Sequence, residues 1–221
     1  METIIAVEEK QIVSYDTKNN TPTGGQFSAY QALYDYFNSR LFGGELPNCL
    51  LNFSRKGKNV GGFFAPDRWA KEDEVIHEIS LNPDHWRNDP EHIISILVHE
   101  MAHVWQQEFG KVPRGGYHDK QWGDKMEAIG LMPSNTGKEG GKRTGQQMTH
   151  YVIAGGLFEK ALQQMPDAIK LPLKAMEIPP KSSKSKSKPK YTCPSCETNV
   201  WGKDNLKITC SECGDEFEIS A

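Results

Sequence analysis

His99, Glu100, Met101, Ala102 and His103 spell H-E-x-x-H inside a stretch whose apolar spacing is helical. Residues four apart on an α-helix lie on one face, with Cβ atoms about 5–6 Å apart. Two imidazoles so placed can share one metal ion, and Zn²⁺ accepts such nitrogens at about 2.0–2.1 Å. Glu100 stands next to the first of them, where it can reach a water on that metal and act as general base. A catalytic zinc takes three protein ligands and keeps a position for water, so a third donor is required. His118 leads the candidates, because it follows Gly115-Gly116, which can swing the chain back, and opens the next helix. Glu127 or Asp124 on that helix are alternatives, and His150 is a weaker rival in strand-like surroundings. His85 and His92 precede the motif and read as surface or first-turn residues; His77 reads as a strand-face residue. The metzincin pattern requires glycine three residues after the second histidine and histidine three further on; Gln106 and Phe109 exclude it.

A second metal pattern lies near the C-terminus. Cys193-Pro-Ser-Cys196 and Cys210-Ser-Glu-Cys213 are two C-x-x-C knuckles separated by thirteen residues, the spacing of a zinc ribbon. This zinc would be structural, with four thiolates and no open position. Glu197 to Thr209 should form a hairpin turning at Asp204-Asn205. About 31 residues cannot fold on an apolar core alone, so metal must supply much of the stability. Cys49 stands apart in an apolar run and reads as a buried, inert thiol.

The elements that must hold these groups follow from periodicity. Phe27, Tyr30, Tyr34, Phe37 and Leu41 form one apolar stripe, so a helix is expected from Gln26 to the Gly43-Gly44 stop. Cys49–Ser54, Gly62–Ala65 and Val75–Leu81 are strand candidates. Asp89 as N-cap and Pro90 at the first turn open the motif helix. Ile94, Leu97, Val98, Met101, Val104 and Trp105 supply its buried stripe, and Gly110 its end. A helix over Asp119–Ile129, a loop over Ser134–Gly145, a strand over Met148–Ile153 and a helix over Leu157–Met165 complete the pattern.

The chain has 221 residues, enough for one core and a small appended module. Four segments are expected: a flexible 1–22, a main domain over 23–170, a Pro/Lys/Ser-rich linker over 171–190, and the ribbon over 191–221. No signal-peptide layout and no membrane-length apolar run occur, which points to a cytoplasmic protein with no membrane partner. The net charge of −3 excludes a general polyanion binder. The ribbon holds two lysines against six carboxylates, whereas residues 181–190 hold five lysines and no acid. Contact with DNA would lean on that linker, with Trp201 of the ribbon offering a stacking face.

Taken in order, Phe42–Pro47 (FGGELP), Gly61–Phe64 (GGFF), Glu78–Pro83 (EISLNP), His99–Gln106 (HEMAHVWQ) and His118 resemble the SprT-like metalloprotease domain, across roughly Gln26 to Leu131. This is the family of bacterial SprT and of the DNA-dependent protease Spartan. The resemblance implies an α+β, zincin-like domain with a small antiparallel sheet and an H-E-x-x-H helix. It makes His99, His103 and His118 the ligands of a catalytic zinc and Glu100 the catalytic residue. It implies cleavage of proteins bound or crosslinked to DNA, and the family often ends in a zinc ribbon. It assigns no role to Ser134–Ile153. Substrate would lie as an extended strand along a sheet edge, for which Val75–Leu81 is the candidate. A non-catalytic nucleic-acid or transcription-associated zinc module and an intracellular protease without a DNA role are the competing readings. Intact Glu100 favours an enzyme.

Overall fold

The computed structural model describes residues 21–55, 57, 60–85, 90–176 and 188–220. The proposed flexible segment up to Asn20, the Asp89 cap and linker residues 177–187 lie outside them. The chain divides into two compact units, Met1–Glu177 and Ile178–Ala221.

The first unit is built on helix α1, Pro22–Leu41. It starts four residues before Gln26 because the Thr21 hydroxyl accepts a bond from the Gly24 N–H at 3.1 Å, and Pro22 suits the first turn. Tyr30, Leu33, Tyr34 and Phe37 are fully buried, as the aromatic stripe requires. Strands β1 (Leu50–Phe53), β2 (Gly62–Lys71) and β3 (Glu74–Leu81) form one sheet in the order β1-β3-β2.

Two expectations fail in this sheet. It is mixed rather than antiparallel: β2 and β3 pair antiparallel through the tight Glu72-Asp73 turn, and β1 pairs parallel on the far side of β3. Val75–Leu81 is therefore the central strand and not an edge, which explains why His77 through Leu81 are buried on both faces. Among the described residues, the edge on the other side belongs to β2. That strand runs to Lys71, beyond Ala65, because an irregularity between Ala65 and Trp69 absorbs Pro66 and Asp67.

Helix α2, Pro90–Phe109, packs on β2, β3 and α1 and buries Ile93, Ile94, Leu97, Val98, Met101 and Val104. Helix α3, Lys120–Ala128, follows; its Asp119 cap accepts bonds from the Trp122 N–H at 3.0 Å and from Gln106 of α2 at 2.8 Å. Strands β4 (Leu131–Ser134) and β5 (Thr149–Val152) pair antiparallel, and helix α4 (Leu157–Gln163) returns to α1. Gly130 joins α3 to β4 with φ of 95°, and a Cβ there would sit 2.6 Å from the Phe158 nitrogen. Cys49 is buried at 3.6 Å from the Tyr34 hydroxyl, and burial pushes its thiol up to about 11.

The second unit is a three-stranded sheet of β6 (Lys190–Thr192), β7 (Asn199–Trp201) and β8 (Glu218–Ser220), with β6 central. The hairpin expected within Glu197–Thr209 does not form; β7 pairs instead with β6, ahead of the first knuckle. The knuckles themselves are alike. Cys193 N–H bonds Thr198 C=O and Glu197 N–H bonds Cys193 C=O; Cys210 N–H bonds Asp215 C=O and Gly214 N–H bonds Cys210 C=O. Tyr191 is the buried centre, its hydroxyl bonded to Lys203 C=O at 2.6 Å.

Candidate metal centre

Helix α2 presents His99 and His103 one turn apart, and the loop after Gly116 brings His118 across from them. The Nε2 atom of His118 lies 3.1 Å from that of His103 and 3.3 Å from that of His99. Four-coordinate zinc with bonds of about 2.05 Å separates neighbouring donors by about 3.3 Å, so both separations suit it, and all three donor atoms lie within 4.8 Å of one another.

The other side of the His118 ring explains why its Nε2 faces inward. His118 is tied to Gly145 twice by the backbone, and its Nδ1 lies 3.2 Å from the Gly145 carbonyl. A carbonyl only accepts, so Nδ1 carries the proton and Nε2 is a lone pair directed inward. That lone pair, together with the two neighbouring Nε2 atoms, is a donor set suited to a shared cation. Burial also favours neutral rings: it lowers His99, lowers His103 to about 3 and lowers His118, with neighbouring imidazoles adding to the effect at His99 and His103.

Trp122 of α3 is the floor. Its ring is fully buried, with centroids 4.8, 5.2 and 4.5 Å from those of His99, His103 and His118. Glu100 points toward β2, where the Phe64 N–H donates to its carboxylate. Burial raises that carboxyl to about 8 despite this bond, and a cation at the histidines would oppose the rise. Gly62 makes the approach possible: a Cβ there would meet Ile96 Cγ2 at 2.8 Å and Glu100 Oε1 at 3.1 Å. All four groups open on a cleft of about 680 Å³ lined also by Phe64, Tyr117 and His150.

The remaining candidates fall elsewhere. Asp124 and Glu127 are on the outer face of α3, half exposed and paired with Lys120 and Arg143, so neither is a third ligand. His77 bridges β2 and α2, with Nε2 2.9 Å from Glu108 Oε1 and Nδ1 accepting from the Asp67 N–H. His85 and His92 line the cleft from the turn before α2 and from its first turn, apart from the triad. His150 is not at the triad's centre: its Nδ1 stands 3.2 Å behind His99, against that ring's Nδ1. Burial, with His92 adding, lowers it to about 3. Periodicity read Trp122 only as helix core and gave no signal for Gly145. In the second unit, Cys193, Cys196, Cys210 and Cys213 place their sulfurs within 4.8 Å of one another, the chemistry of a structural zinc site.

A mixed α+β domain with three converging neutral imidazoles on and beside an H-E-x-x-H helix is of metalloprotease-like type. The chain belongs to the SprT-like family, whose model matches residues 30–146, a little more than half of its length. That family is generally associated with zinc metalloprotease-like function. A segment of 42 residues, 19% of the chain, is 40% identical to an uncharacterized protein in the mucB 3′ region of Salmonella typhimurium, and the match spans 57% of that relative's length. No solved structure matches. No helix among the described residues is long and apolar enough to cross a membrane.

Proposed function

We propose that the protein is a zinc-dependent endopeptidase that cleaves proteins bound or crosslinked to DNA. The observation that carries the peptidase reading is the meeting of His118 Nε2 with the Nε2 atoms of His103 and His99 at 3.1 and 3.3 Å, with Glu100 in the same cleft. His99, His103 and His118 would hold the catalytic zinc, and the four cysteines a second, structural one. Zinc so held supplies Lewis acidity, which acidifies water and polarises a carbonyl oxygen.

The chain's own groups do the rest. Glu100 takes a proton from the attacking water and returns it to the leaving amine. Its bond from the Phe64 N–H fixes the carboxylate between α2 and β2. Substrate lies as an added strand along the open edge of β2, whose Gly62–Phe64 stretch lines the cleft. Such binding uses main-chain groups, so sequence preference is weak. The DNA assignment is supported by the resemblance to Spartan and by the lysines of 181–190.

The test is cleavage of casein, of a DNA-crosslinked protein and of the chain itself, with and without single-stranded DNA. Wild type should cut with DNA stimulation, and Glu100→Gln should fall by about 10²–10⁴-fold while metal content is kept. Cutting indifferent to DNA removes the DNA role, and binding of DNA with no cutting makes the protein a non-catalytic module.

A further inference from the structure

His150 and Gly145 lie in the segment for which the family pattern offers no role, and both stand directly behind metal-site histidines. His150 sits on β5 opposite Pro133 and is buried. Its Nδ1 is 3.2 Å from His99 Nδ1, and its Nε2 is 2.8 Å from the hydroxyl of Ser95. Ser95 lies one helical turn before His99 on the same face of α2, so one imidazole spans the pair. The Ser95 hydroxyl in turn donates to the His92 carbonyl at 2.8 Å.

The direction of every link follows from that carbonyl, which can only accept. The single Ser95 proton is committed to it, so the Ser95 oxygen accepts from His150 Nε2–H. The neutral His150 ring then has a bare Nδ1, and His99 must meet it with Nδ1–H. The His99 proton is thereby held on the outer nitrogen, and its Nε2 lone pair is turned toward His118. On the opposite side the Gly145 carbonyl does the same for His118. Carbonyls at two ends, one in α2 and one in the 134–149 connection, set both tautomers.

We propose that the segment Gly145–His150 is an outer shell that fixes the tautomer and orientation of His99 and His118, with His150 as a positioning residue that accepts the His99 Nδ1–H bond. This rests on the reading of the three histidines as ligands. It gives Thr149–Val152 and the loop before it a purpose: the hairpin carries a hydrogen-bond acceptor to the back of the site. Partners of this kind are worth about 10–100-fold in metal affinity or activity.

The test uses the full chain and compares His150→Asn, which keeps an acceptor near the Nδ1 position, with His150→Phe, which keeps a ring but accepts nothing. Zinc affinity is measured by chelator competition, and the ligand field by the visible absorption of the cobalt-substituted protein. The weaker of two binding steps should lose about 10–100-fold in His150→Phe, with a changed cobalt spectrum, while His150→Asn stays close to wild type. Ser95→Ala removes only a buried hydroxyl, so it serves if His150→Phe does not fold, and it should weaken the same step by a smaller factor. Equal affinities for the asparagine and phenylalanine variants, or for Ser95→Ala and wild type if His150→Phe does not fold, would overturn the proposal. Wild type that binds only one zinc, at the cysteines, would instead overturn the ligand reading on which it rests.

Discussion

Glu100 gives the metal-free protein a pH dependence that can be worked out in advance. Burial raises its carboxyl to about 8, against about 4.3 for a glutamate in an unfolded chain. Between those values the folded state keeps a proton that the unfolded state has lost. The stabilisation is therefore complete at low pH and is lost as pH rises toward 8, at about 1.4 kcal/mol per pH unit. The buried histidines act in the opposite sense: their lowered values make folding favourable above about 6.5 and less so as pH falls. Glu100→Gln keeps those histidines and removes only the carboxyl, so the difference between wild type and variant isolates it. From pH 6.5 to 8 that difference should move by about 2 kcal/mol against wild type. With a urea slope of about 1–3 kcal/mol/M, the relative midpoint shifts by roughly 1 M. The assay is urea unfolding of chelator-treated protein followed by far-ultraviolet circular dichroism, since α1–α4 all belong to the first unit. Identical pH responses of the two proteins would refute the placing of Glu100 in a desolvated position between α2 and β2.

Gly62→Ala should cost about 1–3 kcal/mol and lower the thermal midpoint by several degrees, because the new methyl forces Ile96 aside and crowds Glu100 Oε1. Peptidase activity should fall further than stability alone explains, which a cleavage assay well below the melting range would read. In the second unit, Cys210→Ser should lose one equivalent of metal and the amide-exchange protection of Tyr191 and Thr192, leaving the helical dichroism unchanged; retained protection would mean the sheet does not depend on its sulfurs.

Much of the frame was legible because its signals are local. The Tyr30–Tyr34–Phe37 stripe, the α2 stripe up to Gly110 and the pattern over Asp119–Ile129 each lie within a few residues, and the structure has helices there. The cysteine spacing likewise announced a cluster, and the four sulfurs do gather. What escaped was long-range pairing. Nothing near Val75–Leu81 says that β1 would come to lie on its outer side, so a central strand read as an edge. No strand was expected over Leu131–Ser134, where Gly130 precedes the run and Pro133 interrupts it, yet it pairs with β5. The partnership of His150 with His99 spans 51 residues and leaves no periodic trace; only the fold shows a strand-face histidine standing behind the site.

The claim on which the function depends is that three imidazoles grip one cation apart from the cysteine cluster. Metal analysis of wild type beside His118→Ala addresses it directly. Wild type should carry two zinc ions per chain, and the variant about one, with the cysteine-bound ion intact. A variant that keeps both, or a wild type that never binds more than one, would contradict it.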